Sequence, residues 1–572
     1  VEEVGGKANG LQGAEPGKSD GAADAGAAND RAADAGAAGR ARQRRVIMTG
    51  LTLGLLLASL DQTVVGTSMP RIVGELGGLD RFSWIFSAYM LLATTMIPLA
   101  GKMSDRYGRK AVFLFGMSFF LGGSMLAGVS QNMDQLIIFR ALQGFGGGAM
   151  LPVAVATVAD LYPPAERGKL QGALGAVFAV ASIIGPFVGG WIVDNVNWRW
   201  VFYVNVPLGA LAIAVTTVKF PKVVSDESKP IDYAGIAAIT TFISAFLLIT
   251  FWGGETYDWF SWQILGLAAL SLGAIGVFAL IERRAADPVL PLRLFKSPVF
   301  TLSAVSLMLM AMGLFGVIAF LPMFLQAVVG FTATYSGEVL VPLMISVMLG
   351  AIISGASLKR TGYKVWLAIG PPIGAFGLYL LSTLHRGSPI EHTVAYLFIT
   401  GLGLGFTMSN YIVVAQNVVE RKDLGVASST MSLFRALGGT IGVTVMGVLV
   451  NRRMASEAPN HLSPQLAALL PSTDLNTLGG LVLSDRAKLF PAAAIDGVRD
   501  ALGASIVYIF FIAMCIVLVA WVVTLCIKSV PLKSTDEYLN GKKPEGPAAA
   551  GREPRTAGLD PNSQRGTPTQ HM

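Results

Sequence analysis

Four ionisable residues stand inside otherwise apolar stretches of the sequence: Asp61, Arg140, Glu338 and Arg435. A carboxylate held away from bulk water must protonate, pair with a cation or face a water-filled cavity. Asp61 therefore reads as a reversible proton site or as a charge partner for a cationic ligand. Desolvation raises its affinity for a proton and a bound cation lowers it, so one group can exchange the two. The alternative is a structural acid held by a neighbouring arginine or by backbone amides. Glu338 opens its stretch near one end and reads as a second proton site or as a group that merely touches water. Other chemistry lacks its residues. There is no Gly-x-x-x-x-Gly-Lys-Ser/Thr phosphate loop, and the four histidines lie outside the apolar stretches without metal-ligand or nucleophile–base spacing. The glycine-rich run Gly144–Ala149 has no strand before it and is not a dinucleotide loop. These patterns point away from an enzyme and from any bound cofactor.

A second constellation is charged and repeated. Gly101-Lys-Met-Ser-Asp105-Arg106-Tyr-Gly108-Arg109-Lys110 recurs in weaker form as Gly355-Ala-Ser-Leu-Lys359-Arg360-Thr-Gly362-Tyr-Lys364, displaced by 254 residues. Glu166-Arg167 and Gly185 find counterparts in Glu420-Arg421 and Gly439 at the same offset. Asp105 has no counterpart, because Lys359 stands in its place. The chain thus reads as a duplication whose halves no longer do the same work.

The elements that position these residues follow from composition. Of 572 residues, 53% are apolar and only 14% charged, with a net charge of +7 and a mean hydropathy of +0.58; a soluble domain carries roughly 25% charged residues. Stretches of about 20 apolar residues are membrane helices, and fourteen are expected: 46–67, 82–100, 111–130, 134–158, 169–192, 200–219, 232–252, 260–281, 299–328, 336–357, 363–383, 393–418, 425–450 and 501–528. Lys and Arg concentrate in alternate connectors, among them Arg42, Arg44 and Arg45, then Lys102 to Lys110, then Arg283 to Lys296. That placement is topology control and not a nucleic-acid surface, and it puts both termini in the cytoplasm. Even numbers of spans separate the copies, so the repeat is parallel: an N-terminal six-helix bundle (46–220), two inserted helices with linkers (221–298) and a C-terminal six-helix bundle (299–530). The latter includes a long outside loop, 451–500, with amphipathic helical patches at Leu462–Leu470 and Pro491–Leu502. Tails 1–45 and 531–572 read as disordered and cytoplasmic. Cys515 and Cys526, eleven residues apart, would lie about 16 Å apart on one helix and cannot pair.

Several motifs in order resemble the fourteen-span drug:proton antiporters of the major facilitator superfamily, the EmrB/QacA type. The decapeptide 101–110 looks like the superfamily signature between spans 2 and 3. Leu60-Asp61-Gln-Thr-Val-Val-Gly66-Thr-Ser-Met-Pro70 resembles the span 1 motif, with Gly66 where Asn is common. Phe139-Arg140-Ala-Leu-Gln143-Gly144 is similar to the span 4 motif, Ile184-Gly185-Pro186-Phe-Val-Gly189-Gly190 to the antiporter motif of span 5, and Trp198-Arg199-Trp200-Val-Phe-Tyr-Val-Asn205-Val-Pro207 to the start of span 6.

The resemblance implies the all-α major facilitator fold and export of amphipathic or cationic small molecules against protons by alternating access. Export of lipid or another endogenous metabolite on the same fold is the rival reading, and a non-transporting sensor a more distant one. It implies that Arg140 couples protons through a nearby acid, and that Gly185, Pro186, Gly189 and Gly190 mark an exporter. It also implies that Asp105 and Arg109, in the signature that holds Gly101, Arg106 and Gly108, form with Asp160, the acid ending span 4, a network locking the two halves while the protein faces outward. Arg435, ten residues past Gly425, is expected to find Asp105 as its partner. Gln143, Gln326, Asn410 and Gln416 are expected to line a cavity or to bond between helices. The expected partners are protons, an amphipathic small molecule and the lipid bilayer of the cell membrane, with the protein a monomer.

Overall fold

Within hydrocarbon every backbone N–H and C=O must be satisfied inside its own segment, so apolar runs of this length can only be helices. The computed structural model describes residues 20–76, 82–219, 232–254, 256–285, 287–462 and 490–532, and among them it is almost wholly helical. In chain order the helices are α1 (Asp20–Leu76), α2 (Phe82–Tyr107), α3 (Arg109–Gly128), α4 (Met133–Leu161), α5 (Pro164–Asn195), α6 (Trp200–Tyr203), α7 (Asn205–Lys219), α8 (Tyr233–Trp252), α9 (Trp262–Glu282), α10 (Pro298–Met323), α11 (Ala333–Leu381), α12 (Ile390–Asn417), α13 (Leu424–His461) and α14 (Ala492–Leu525). Among the described residues, thirteen segments are long and apolar enough to cross a membrane. The expected fifth span lies in α5, whose 32 residues have the length to cross.

Several elements depart from the expected limits for identifiable reasons. The segment read as a disordered tail is helical from Asp20 onward, because it is built largely of alanine, the best helix former. Residues 1–19 and 533–572 lie outside the described residues. The sixth span is interrupted at Val204 and restarts at Asn205, with Pro207 in the first turn of the second piece, where a missing N–H costs nothing. α10 continues as a π-helical turn, Phe324–Val329, which ends at Gly330 in the left-handed region. α13 and α14 run beyond the expected spans into the loop 451–500. They bury Met454, Ala458, Leu462, Ala494, Ile495 and Val498, and residues 463–489 are not described. The patch expected at 491–502 forms the start of α14.

Helices α1 to α7 pack on one another, as do α10 to α14, and α8 and α9 form a hairpin set against α2. The two groups meet along two seams, α2 with α13 and α5 with α11. The repeat is visible in the backbone itself. Gly108 (φ 87°, ψ 148°) separates α2 from α3, and Gly362 (φ 68°, ψ 170°) breaks α11 into two membrane-crossing halves. This conformation is essentially confined to glycine, so the same turn is built twice at positions 254 residues apart. Each of Gly108→Ala and Gly362→Ala is expected to cost about 1–3 kcal/mol. Thermal unfolding in detergent checks this, with Gly122→Ala as the control, since Gly122 is helical and has open space beside it.

Candidate functional site

Asp61 lies on α1 between two apolar clusters of the first bundle, one holding Leu55, Ala58 and Phe120, the other Leu60, Val64 and Leu136. It is 1% exposed and Arg140 is 0% exposed, yet both are partnered. Arg140 Nη1 donates to Asp61 Oδ2 at 2.5 Å, and the guanidinium lies over the Tyr89 ring, 4.5 Å from its centroid. Gln143 Nε2 and Asn205 Nδ2 donate to Asp61 Oδ1 at 2.7 and 2.8 Å. Arg140 Nη1 also donates to Gln143 Oε1 at 2.7 Å, and Asn205 donates to Ser124 Oγ at 3.0 Å. Hydrogen bonds to the remaining lone pairs and protons offset the cost of an ion pair at this depth. Here both carboxylate oxygens are satisfied, whereas Arg140 Nε and Nη2 have no hydrogen-bond partner among the described residues and the guanidinium rests on the Tyr89 ring.

The cluster is held by close helix approach. A side chain at Gly144 or Gly148 on α4 would collide with the α2 backbone at Tyr89 or Ala93, and one at Gly146 with α3 at Gly116 and Phe120. The glycine run thus lets α4 carry Arg140 and Gln143 up to Asp61. Thr63, two residues past Asp61, donates to the carbonyl of Ala181 on α5 at 3.2 Å. Gly185 makes room for it, since a Cβ there would strike Thr63 Oγ1. Gly189 is buried, whereas Gly190 faces open space. α5 is helical through Pro186.

The second constellation lies at the end of the bundles that carries the Lys- and Arg-rich connectors, here called the basic end. Arg109 bridges Asp105 (2.6 Å) and Asp160 (2.8 Å) and donates to Ser104 Oγ at 2.6 Å. Asp105 Oδ2 accepts the backbone N–H of Val426 at 3.0 Å, in the first turn of α13, where free N–H groups and the helix dipole favour an anion. A side chain at Gly101 would collide with Ser429 and the Gly425 carbonyl. The guanidinium of Arg106 lies 5.7 Å from the centroid of the Tyr107 ring. The expected pairing of Asp105 with Arg435 is not formed. Arg435 lies ten residues beyond Gly425, about 15 Å along the helix, and bonds to no described residue. The helix terminus takes the role assigned to it.

The remaining expected positions are dispersed. Gln416 accepts from Gln171 on α5 at 3.3 Å and donates to Ser428 at 2.9 Å, an interhelical role at the seam. Asn410 is buried and donates to the Phe406 carbonyl at 2.7 Å. Gln326 lies partly buried in the π-helical turn. Glu338 is exposed and lines a cavity of about 590 Å³ with Tyr335, Glu391, Val394, Phe398 and Ile399. Gln143, expected at a cavity, belongs to the Asp61 cluster instead. Asn205, Ser124 and Tyr89 complete that cluster and were not foreseen as site residues. The one signal in the sequence was Asn205's place in the motif opening span 6.

Arg140→Met would leave Asp61 without its countercharge, and removing one partner of a buried pair costs about 3–5 kcal/mol. The melting temperature in detergent is expected to fall accordingly. Adding Asp61→Asn to the same chain is expected to restore most of the loss.

Residues 51–443 match the family model of the Major Facilitator Superfamily. Multidrug transporter protein MdtP of Bacillus subtilis (strain 168) is 37% identical over 516 residues, covering 87% of this chain and 95% of that relative. Multidrug resistance protein 3 of the same organism is 35% identical over 502 residues, 86% of this chain and 97% of the relative. Among solved structures, the proton:xylose symporter XylE bound to 6-bromo-6-deoxy-D-glucose aligns with a TM-score of 0.57 over 86% of this chain and 97% of that one. At 12% identity that likeness is one of fold. This chain belongs to the Major Facilitator Superfamily and is a multi-span membrane transport protein, not an enzyme.

Proposed function

We propose that the protein is a proton-coupled antiporter that exports amphipathic or cationic small molecules across the cell membrane by alternating access. The proton gradient is its energy source, and it acts as a monomer with both termini in the cytoplasm. The observation that carries this reading is the sealed Asp61–Arg140 pair with its two amide donors. A transport scaffold has no need of a charge pair buried this completely, whereas a proton-exchanging acid requires one that can be switched. With Asp61 ionised the pair is neutral and α1 is held to α4. Protonation removes the attraction and releases the guanidinium, while Gln143 and Asn205 still bond the carboxyl. The contact of Thr63 with Ala181 and Gly185 passes a shift of α1 to α5, and α5 lies along the seam with α11. Asp105 and the first turn of α13 close the other seam.

Substrate class is supported by the relatives' printed descriptions as multidrug proteins. It is also supported by the carboxylates of Glu338 and Glu391 beside the apolar wall of Val394, Phe398 and Ile399. That combination suits an amphipathic cation.

In inside-out vesicles, a proton gradient is expected to drive uptake of an organic cation dye. Asp61→Asn is expected to reduce it to the level of vesicles lacking the protein, with correct insertion shown by protease mapping; unchanged pumping would remove Asp61 from the mechanism. Asp105→Asn keeps an acceptor for Val426 but loses its charge against Arg109, and is expected to slow pumping severalfold. Asp105→Ala, which removes both, is expected to abolish it.

A further inference from the structure

The hairpin α8–α9 has no counterpart in the repeat, yet the segment leaving it is tied to both halves of the molecule. Residues 287–297 follow α9 and lead into α10. Val289, Leu290 and Leu294 are buried, and Leu290 N–H donates to Glu282 at the end of α9 at 2.5 Å. The Phe295 ring lies 6.0 Å from that of Phe434 on α13. Two ion pairs leave the segment in opposite directions. Asp287 pairs with Lys102 of α2 at 2.5 Å, both side chains largely buried at 17% and 23% exposure. Arg293 pairs with Asp423 at 2.8 Å, and Asp423 is the residue immediately before α13.

The placement of the four charges matters more than their number. Lys102 adjoins Gly101, which packs against Ser429, and Asp423 stands two residues before Gly425, against which Asp105 lies. The segment therefore crosses the α2–α13 seam at the level where Asp105 closes it. We propose that residues 287–297 form a strap across this seam, with Lys102–Asp287 and Arg293–Asp423 as its two fastenings, and that it biases the protein toward the state closed at the basic end. Positive-inside topology accounts for Lys102 and Arg293 as charges but not for their partners, since a topology signal needs no acid opposite it. Moving α2 away from α13 must break one fastening, and the apolar anchoring of Leu294 and Phe295 makes Lys102–Asp287 the one that opens. The strap gives the inserted helices a purpose: they deliver a tether from outside the repeat to the seam closed by Asp105, which Lys359 replaces in the second copy.

The inference rests on the reading that the two bundles alternate, so its test measures the seam itself and not pumping. Ser429→Cys, buried against Gly101, is introduced with Cys515→Ser and Cys526→Ser, and its alkylation by a membrane-impermeant maleimide is timed in inside-out vesicles. Lys102→Asp alone and Asp287→Lys alone are each expected to speed labelling about threefold to tenfold, the range of a partly buried ion pair. The exchanged pair, Lys102→Asp with Asp287→Lys, is expected to return labelling to the parent rate. Arg293→Asp, Asp423→Arg and their combination are expected to behave likewise at the other fastening. Unchanged labelling in the single variants would overturn the strap, as would an exchanged pair that labels as fast as the singles. If dye transport fails in all forms while labelling follows the charge exchange, the strap stands and the exporter reading falls.

Discussion

A charge surrounded by hydrocarbon has to be answered by another charge or by hydrogen bonds, and the first bundle is arranged around meeting that demand at Asp61. Four helical segments converge there: α1 brings the acid, α4 the arginine and Gln143, α7 begins with Asn205, and α3 supplies Ser124 behind it. The glycine run of α4 is a consequence of the same demand. Side chains at Gly144 and Gly148 would hold α4 off α2, and Arg140 would then stand too far away to neutralise Asp61. Packing and electrostatics are thus one constraint at this point, because the small residues exist to bring the charges together.

The two seams between the bundles use different physics although the repeat relates them. Where α2 meets α13, an acid is laid against the first turn of a helix and backed by Arg109 and Asp160. Where α5 meets α11, Gly168 faces Gly355 with no side chain between them, and Gly172 faces Ala351. The first contact is short-ranged but polar and can be weakened by a change of charge. The second is a fit of surfaces that tolerates sliding. Replacement of Asp105 by Lys359 in the second copy is what separates them.

Much of this was legible in the sequence where the signal is local or periodic. The spans followed from apolar length, the shared turn at Gly108 and Gly362 from the repeat, and the acid of special standing from its place in an apolar run. Meeting points were harder. The partners of Asp61 come from helices far apart in the chain, and nothing in the spacing of Asn205 or Ser124 tells which way each side chain faces. Arg435 was expected to reach Asp105 from ten residues past Gly425, but helical rise puts it two to three turns too deep. Across the seam Asp105 meets a backbone N–H, which leaves no mark in residue types. The alanine-rich segment from Asp20 was read from its small residues and charges as a tail, when alanine content is itself a helix signal.

The completeness of the Asp61–Arg140 pairing bears on the electrical behaviour of the cycle. An ionised Asp61 beside Arg140 sums to zero, so in the proposed cycle the deprotonated site adds no charge of its own to the outward, substrate-bearing step. Taking up a proton leaves one net positive charge at the same point. The loaded form is then the one the membrane potential acts on, by about 2.3 kcal/mol for each 100 mV that the charge traverses. An interior-negative voltage draws the protonated site inward, and on the outward step it acts on whatever charge the substrate brings. Pairing one acid with one arginine would thus make voltage, alongside proton concentration, a source of work for the pump.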